Sequence, residues 1–214
     1  MQVAIAPAAQ RDVPVSWCAL KRAIDVVLGL ALLLLAAPVV LLAAIGIVFT
    51  TGGAPFYAQE RVGMHGRRFK MFKLRTMVNG AHAMRDDLMH LNEVDGPVFK
   101  IRNDPRTHPL GRFLRRTSID ELPQLINVVR GDMSIVGPRP EQLDLVERYA
   151  PEHQFRLQVK PGITGPMQVY GRGELTFDER LAVEREYVEN LSLARDIRIV
   201  LMTLPAVFGK RGAY

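Results

Sequence analysis

The chain has 214 residues, 48% of them hydrophobic, which is enough for one sizeable core or for one domain with an attachment. Its formal net charge of +6 favours an anionic partner, such as a phosphorylated substrate, an anionic lipid or nucleic acid. No basic strand is interleaved with aromatic residues, so we expect no nucleic-acid partner, and the single cysteine, Cys18, excludes an intrachain disulfide.

Residues 17–50 are predicted to be a membrane segment that follows a disordered tail at residues 1–16, which is rich in Ala, Pro and Val. The run Val26–Phe49 carries no charged residue. As a straight helix it would measure about 36 Å, enough to cross a bilayer core of about 30 Å. A cleaved signal peptide is disfavoured because the run is too long and starts too far from the N-terminus.

The topology of this segment has two interpretations. Pro38 lies in the middle of the run and should kink the helix. Basic residues flank both ends, for example Lys21 before the run and Arg61 after it, and the positive-inside rule would keep both ends in the cytoplasm. A helix that enters, bends at Ala37–Pro38 and returns satisfies both observations. From these residues alone, this re-entrant hairpin and a kinked single span are equally favoured.

Residues 51–214 are predicted to form a domain at the membrane surface. The alternation in Arg67–Met77 predicts a strand on which Lys73 or Arg75 reaches an anionic substrate or a lipid phosphate. A basic strand edge that is solvated or lies on headgroups is the equal alternative. The spacing of apolar residues in Ala81–Leu91 predicts a surface helix.

The stretch Leu110–Pro140 is the predicted active site. It contains the adjacent acids Asp120 and Glu121 among arginines, and a site that handles phosphate esters with a metal ion needs this combination. The flanking arginines are Arg112, Arg115, Arg116, Arg130 and Arg139.

A structural role for the glutamate competes with this hypothesis. Ser118-x-x-Glu121 matches a capping box, in which Glu121 would only cap a helix. Pro123 instead suits the first position of a helix that ends at Gly131. Arg139 lies on a stiff Gly-Pro-Arg-Pro loop, where it could bind phosphate through two hydrogen bonds or only stabilise the loop.

The C-terminal third is predicted to hold two helices and an apolar end. Glu141–Leu157 and the charged stretch Thr176–Asn190 predict helices, with the cation Arg172 on an exposed loop between them. Ile197–Phe208 is apolar and too short to span a bilayer. It is equally well interpreted as a core helix or as an interfacial helix.

Several of these stretches, spread over about residues 20–210, match the motifs of one family. They are KRAIDVV (Lys21–Val27), the apolar run with Pro38, FYAQERVG (Phe56–Gly63), FKMFKLRTM (Phe69–Met77), SIDELPQLINVVRGDMSIVGPRP (Ser118–Pro140), KPGITG (Lys160–Gly165) and YGR (Tyr170–Arg172). In them the chain resembles the bacterial sugar transferases, monotopic polyprenyl-phosphate phosphoglycosyl transferases that start O-antigen, capsule, exopolysaccharide and glycoprotein glycan assembly. It resembles their minimal catalytic core.

The resemblance implies an activity. The family transfers a sugar-1-phosphate from a UDP-sugar to a polyprenol phosphate, usually undecaprenyl phosphate. Asp120 would attack the β-phosphorus, release UMP and carry the phosphosugar covalently, and Glu121 would hold Mg²⁺. Lys73 and Arg139 would neutralise phosphates. With residue positions and resemblance combined, the expected substrate- or phosphate-binding residues are Lys73, Arg75, Arg116, Arg139, Arg172 and Asp196.

The resemblance also implies an architecture and a location. We expect a predominantly helical α+β fold with a re-entrant helix-break-helix hairpin bent at Ala37–Pro38, interfacial amphipathic helices and a short β-hairpin. The protein would act at the cytoplasmic face of the bacterial inner membrane, alongside other glycan-assembly enzymes. The alternative function is a non-catalytic membrane scaffold that recruits partners, which would not need the Asp120–Glu121 pair.

The chain also departs from the family pattern. Ala37 stands where relatives often have Ser before the proline, so the bend would rely on Pro38 alone. Pro166 and Tyr170 replace residues common in loops near the expected donor pocket. We therefore infer no particular sugar.

Overall fold

The computed structural model describes residues 15–93, 99, 101–171 and 175–208. Over these residues the chain is mainly helical with two small sheets, in agreement with the predicted α+β class. The α-helices are α1 (Val15–Thr51), α2 (Pro109–Thr117), α3 (Gln124–Arg130), α4 (Leu143–Val146), α5 (Pro166–Tyr170), α6 (Phe177–Glu189) and α7 (Leu193–Phe208). The strands are β1 (Phe56–Val62), β2 (Arg68–Leu74), β3 (Ser134–Val136) and β4 (Gly162–Thr164).

The predicted membrane segment is one helix, α1, which is long and apolar enough to cross a membrane. It already includes Val15 and Ser16 of the expected tail, and residues 1–14 lie outside the described residues. The expected division into two helices is not observed, because α1 remains helical through Ala37 and Pro38. An interior proline removes one backbone hydrogen bond, and the helix continues on both sides of it.

The middle of α1 projects away from the rest of the protein. The side chains of Leu34 and Leu35 are 75% and 74% exposed, and Leu42 is 70% exposed. A contiguous apolar surface of this kind marks a membrane or protein contact.

Both flanks of this exposed middle pack on the globular part. On the N-terminal side, Arg22 donates hydrogen bonds of 2.6 and 2.7 Å to the carbonyl oxygens of Val128 and Val129, at the end of α3. On the C-terminal side, Ile47 is fully buried in a cluster with Leu74 of β2. The same globular part therefore holds α1 at two places.

The predicted strand and β-hairpin are confirmed. β2 pairs antiparallel with β1, in a register that sets Lys73 opposite Tyr57 and Phe69 opposite Arg61. Opposed residues share a face of the sheet, so these four side chains lie on one face. A second sheet pairs the short strands β3 and β4 in parallel, which the sequence pattern did not indicate.

Two predicted helices have other structures. Glu141–Leu157 is divided into α4 and a 3₁₀ helix, Pro151–Gln158, because Pro151 cannot continue a helix that begins before it. Ala81–Leu91 forms a 3₁₀ helix at Ala83–Leu91 in which no side chain is buried. Without a buried face, packing does not stabilise an α-helix there.

The main core lies between the C-terminal helices and the small parallel sheet. The predicted helix Thr176–Asn190 is confirmed as α6, which Thr176 caps in a capping box with Glu179. In α7, Ile199 is buried in the core whereas Leu201 is 63% exposed. The C-terminal helix thus has one core face and one exposed apolar face.

Candidate active site

The acid pair lies in a tight turn between two helices. Asp120 and Glu121 belong to a 3₁₀ turn, Ile119–Glu121, which follows the end of α2. Ser118 ends α2 in the left-handed conformation, with φ of 57°. This conformation is costly for a residue other than glycine and often accompanies a functional site. The turn buries the Asp120 side chain and directs Glu121 towards the β-hairpin.

Glu121 forms ion pairs with two of the predicted phosphate-binding cations. Lys73 Nζ lies 2.8 Å and Arg139 Nη2 lies 3.0 Å from the same oxygen, Glu121 Oε1. The capping-box alternative is wrong, because Ser118 makes no capping hydrogen bond with its side chain and Glu121 instead pairs with these cations. The structure thus brings Lys73, Arg139 and both acids together.

The two acids have opposite electrostatic environments. Burial alone would raise the pKa of Glu121, but Lys73 and Arg139 hold that pKa well below its usual range. Burial raises the pKa of Asp120, and the negative charge of Glu121 adds to the effect, while Lys73 and Arg115 oppose it. Glu121 is therefore a stable anion, and Asp120 is a carboxylate whose charge is weakly compensated.

Close backbone packing positions the loop that carries Arg139. A Cβ atom on Gly162 would overlap the backbone nitrogen of Gly137, and one on Gly165 would overlap the Gly137 carbonyl. Only glycine permits this approach between the Gly-Pro-Arg-Pro loop and β4. The two motifs therefore form one rigid unit.

Buried charges hold both backbone polar groups of Arg139. Glu184 Oε1 accepts a 3.2 Å hydrogen bond from the Arg139 N–H, and Arg156 Nη2 donates one of 3.2 Å to the Arg139 carbonyl. Arg156 in turn pairs with Glu184 at 2.6 Å and with Glu141 at 2.9 Å, and Arg180 also pairs with Glu141. Glu184 is fully buried.

Sequence reasoning missed this network. The charge pattern of Thr176–Asn190 predicts only a helix, and Arg156 lies within the predicted helix Glu141–Leu157. The available signal was the i, i+4 pair of Arg180 and Glu184, which lies among the apolar positions of α6.

Two predicted phosphate-binding arginines form no ion pair with the acids in the described part of the chain. Arg75 Nη2 donates a 2.6 Å hydrogen bond to Thr51 Oγ1 and a second one to the Gly52 carbonyl, so it holds the end of α1. Arg116 is exposed on α2. Its neighbour Arg115 lies closer to the acids, and its charge opposes the rise in the pKa of Asp120.

The other two predicted residues lie away from the acid pair or outside the described residues. Asp196 is buried and accepts hydrogen bonds from Lys21 Nζ at 2.6 Å and from the Tyr187 hydroxyl at 2.7 Å. It therefore links the start of α1 to α7. Arg172 lies outside the described residues. Asp25 Oδ1, one turn after Lys21 on α1, lies 4.0 Å from Lys21 Nζ.

The acid pair suits a metal ion that takes few protein ligands. Over the described ranges, no group of three or more His, Cys, Asp or Glu side chains could hold a metal ion. The Lys73 and Arg139 hydrogen bonds both reach Glu121 Oε1, and none within the described part of the chain reaches Oε2. Mg²⁺ commonly binds one or two carboxylates together with substrate phosphates and water. These residues fit that mode of binding.

Comparison with known proteins gives consistent matches over most of the chain. A family model described as bacterial sugar transferase matches residues 16–210. The UDP-galactose-lipid carrier transferase of Erwinia amylovora is 42% identical over 199 residues, 91% of this chain and 42% of that protein. The exopolysaccharide production protein ExoY of Rhizobium meliloti is 40% identical over 198 residues, 91% of this chain and 88% of that protein.

The name of a third relative includes the lipid undecaprenyl phosphate. The UDP-glucose:undecaprenyl-phosphate glucose-1-phosphate transferase of Caulobacter vibrioides is 42% identical over 204 residues, covering 91% of this chain and 72% of that protein. The chain spans less than half the length of the Erwinia protein but most of ExoY. The matched region includes the acid pair, both of its cationic partners and α1 from Ser16 onward. On these grounds the chain belongs to the bacterial sugar transferase family.

Proposed function

We propose that this protein transfers a sugar-1-phosphate from a UDP-sugar to a polyprenol phosphate such as undecaprenyl phosphate, and so initiates surface polysaccharide or glycoconjugate synthesis. The observation that carries this proposal is the buried Asp120 next to Glu121, which Lys73 and Arg139 hold in place. The names of the relatives, which specify UDP-sugars and undecaprenyl phosphate, support the substrate class.

In the first step, Asp120 is the nucleophile. A carboxylate oxygen of Asp120 attacks the β-phosphorus of the donor, and the bond from that phosphorus to the bridging oxygen breaks, releasing UMP. The weakly compensated charge of Asp120 suits this role, because a carboxylate bound tightly by a cation would be less nucleophilic. Lys73 and Arg139 stabilise the charge that accumulates on the phosphate oxygens.

In the second step, the phosphosugar is transferred from Asp120 to the lipid. A phosphate oxygen of the polyprenol phosphate attacks the same phosphorus, the bond to the Asp120 oxygen breaks, and the carboxylate is regenerated. The product is a polyprenyl diphosphate sugar. Other glycan-assembly enzymes would then extend it.

We propose Mg²⁺ as the cofactor, with Glu121 as its protein ligand. A bound Mg²⁺ would neutralise negative charge on the diphosphate of the donor. The Glu121 carboxylate is kept ionised by Lys73 and Arg139, as a metal ligand must be.

We place the protein at the cytoplasmic face of the bacterial inner membrane, with α1 re-entrant. Asp25 and Ile47 would be separated by about 33 Å in a straight α-helix, close to the thickness of a bilayer core. Asp25 accepts a 3.0 Å hydrogen bond from Ser134 of β3, whereas Ile47 packs on the β-hairpin, so both contact the same domain. A single span across the bilayer would leave one of them on the opposite side. This arrangement favours the re-entrant topology over a single span, and in that topology the acids would lie near lipid phosphates.

The test measures UMP release by the purified protein in detergent. It uses undecaprenyl phosphate, Mg²⁺ and a panel that includes UDP-galactose and UDP-glucose, the donors that relatives' names indicate. We expect release from at least one donor, its loss in Asp120→Asn, and its retention in Asp144→Asn, which changes an exposed acid. No release from any common UDP-sugar, or undiminished release by Asp120→Asn, would refute the proposal. Activity that survives a chelator would remove Mg²⁺ from it.

A further inference from the structure

Arg61 is a cation near the acid pair that the mechanism above does not use. It lies on β1, on the same face of the hairpin as Lys73, because the register opposes Arg61 to Phe69 and Tyr57 to Lys73. Lys73 contacts Glu121 from this face. The side chain of Arg61 therefore lies on the side of the hairpin that faces the site.

The contacts of Arg61 connect it to the loop that carries Arg139. Its Nη1 lies 3.3 Å from the carbonyl oxygen of Pro140, and its Nη2 donates a 2.7 Å hydrogen bond to Gln59 Oε1. Its Nε is buried without a hydrogen-bond partner. Both acceptors are neutral, so these contacts position the guanidinium without neutralising its charge.

Arg61 differs in this respect from the buried arginines that support the fold. Arg106 pairs with Asp104, and Arg156 pairs with Glu141 and Glu184. Within the described part of the chain, Arg61 forms no ion pair with a carboxylate. Arg61 is itself partly buried. A charge withdrawn from water without a partner is costly, so such a residue usually meets its counter-charge on a ligand.

The neighbouring guanidinium increases this cost. Burial and the positive charge of Arg139 lower the pKa of Arg61 to about 10, which still leaves it charged at neutral pH. Arg139 hydrogen-bonds Glu121 through Nη2, and within the described residues its Nη1 and Nε make no hydrogen bond. Two nearby cations with free donors form an anion-binding site.

We infer that Arg61 and Arg139 together bind the diphosphate of the donor, and that Arg61 takes the phosphate that leaves as UMP. This inference rests on the proposed function. Arg139 contacts Glu121, so it lies beside the phosphorus that Asp120 attacks, and Arg61 is the next cation along the hairpin. Negative charge grows on the UMP phosphate as the bond from the β-phosphorus to the bridging oxygen breaks. Arg61 would therefore assist the departure of UMP as well as the binding of the donor.

The experiment measures direct binding of UMP and of uridine to the full-length protein in detergent, together with UMP release. In Arg61→Gln we expect the Kd for UMP to rise by about tenfold or more, since a lost hydrogen bond between charged groups costs at least that much affinity. Uridine lacks the phosphate, so its binding should not change. Arg67→Gln is the matched control, because it removes the same charge from an exposed position in the hairpin turn.

The outcomes separate the possible roles of Arg61. Wild-type affinity of Arg61→Gln for UMP, or equal weakening of UMP and uridine binding, would overturn the inference. If Arg61→Gln does not fold, Arg61→Lys keeps the charge but loses the two-pronged donor, and we then expect weakened UMP binding with unchanged uridine binding. Unweakened UMP binding by Arg61→Lys would then overturn the inference. A wild-type protein that neither binds nor releases UMP would contradict the proposed function itself.

Discussion

Neighbouring residues of similar chemistry lie in different electrostatic environments in this protein. Asp120 and Glu121 are adjacent carboxylates, yet only Glu121 forms ion pairs with Lys73 and Arg139. The residue types alone predicted that the acid pair belongs to an active site. They could not decide between a capping role and an ionic role for Glu121, because Lys73 lies 48 residues earlier in the chain and only the fold brings it near.

The same limit applies to buried charges. Glu184 and Glu186 both lie on α6 and look alike in the sequence, but Glu184 is fully buried whereas the Glu186 side chain is 65% exposed. Periodicity shows that a face is polar and does not show that its charges are paired inside the protein. The network that holds Arg139 was therefore not predicted.

The two glutamates should respond differently to truncation. Glu184→Ala leaves Arg156 without one of its buried partners, so we expect the free energy of unfolding to fall by about 3–5 kcal/mol. Glu186→Ala, the matched control, removes an exposed ion pair with Arg195 and should cost about 0–1 kcal/mol. Denaturant unfolding in detergent measures both. Equal stability of the two variants would show that the buried network contributes nothing to the fold.

At the scale of elements, local signals predicted several helices and strands to within a few residues. The strand β2, the helix α3 that ends at Gly131 and the helix α6 all lie where turn residues and periodicity predicted them. The failures follow from interactions that are not local. The parallel pairing of β3 with β4 joins short segments whose sequences carry no alternation, and it depends on backbone contact between two loops.

That contact should be sensitive to a single methyl group. Gly162→Ala would place a Cβ against the backbone of Gly137, which cannot move without displacing Arg139. We expect the variant to lose most of its UMP release, and its melting temperature in detergent to fall. Gly46→Ala is the control, because its Cβ would meet only the end of the Leu110 side chain, which can shift. Near-normal activity of Gly162→Ala would mean that the Arg139 loop tolerates displacement.

At the scale of the molecule, the apolar run predicted a membrane helix. Only the fold shows which parts of that helix contact the globular part. Composition gave equal support to a single span and to a hairpin. The structure adds that Arg22 and Ile47, on the two flanks of the exposed middle, both contact the same globular part. Such contacts join residues that are distant in sequence, and no pattern within the run indicates them.

Cysteine labelling in membrane vesicles should distinguish the two topologies. The native Cys18 is exposed near the start of α1, and Ala54→Cys would place a second exposed thiol just after its end. We expect a membrane-impermeant maleimide to label both thiols from the cytoplasmic side only. Leu35→Cys, in the apolar middle, should stay unlabelled from either side. Labelling of Cys18 and of the cysteine at position 54 from opposite sides would establish a single span.

The central claim is that Asp120 becomes covalently linked to the phosphosugar. The most direct measurement incubates the protein with its UDP-sugar and Mg²⁺ in the absence of polyprenol phosphate, and then determines the mass of the intact protein after a rapid quench. We predict a gain of one phosphosugar, its removal when polyprenol phosphate is added, and conversion of Asp120 to a hydroxamate by hydroxylamine. Asp120→Asn should gain nothing. Stoichiometric UMP release with no adduct, or an adduct on a residue other than Asp120, would contradict the mechanism.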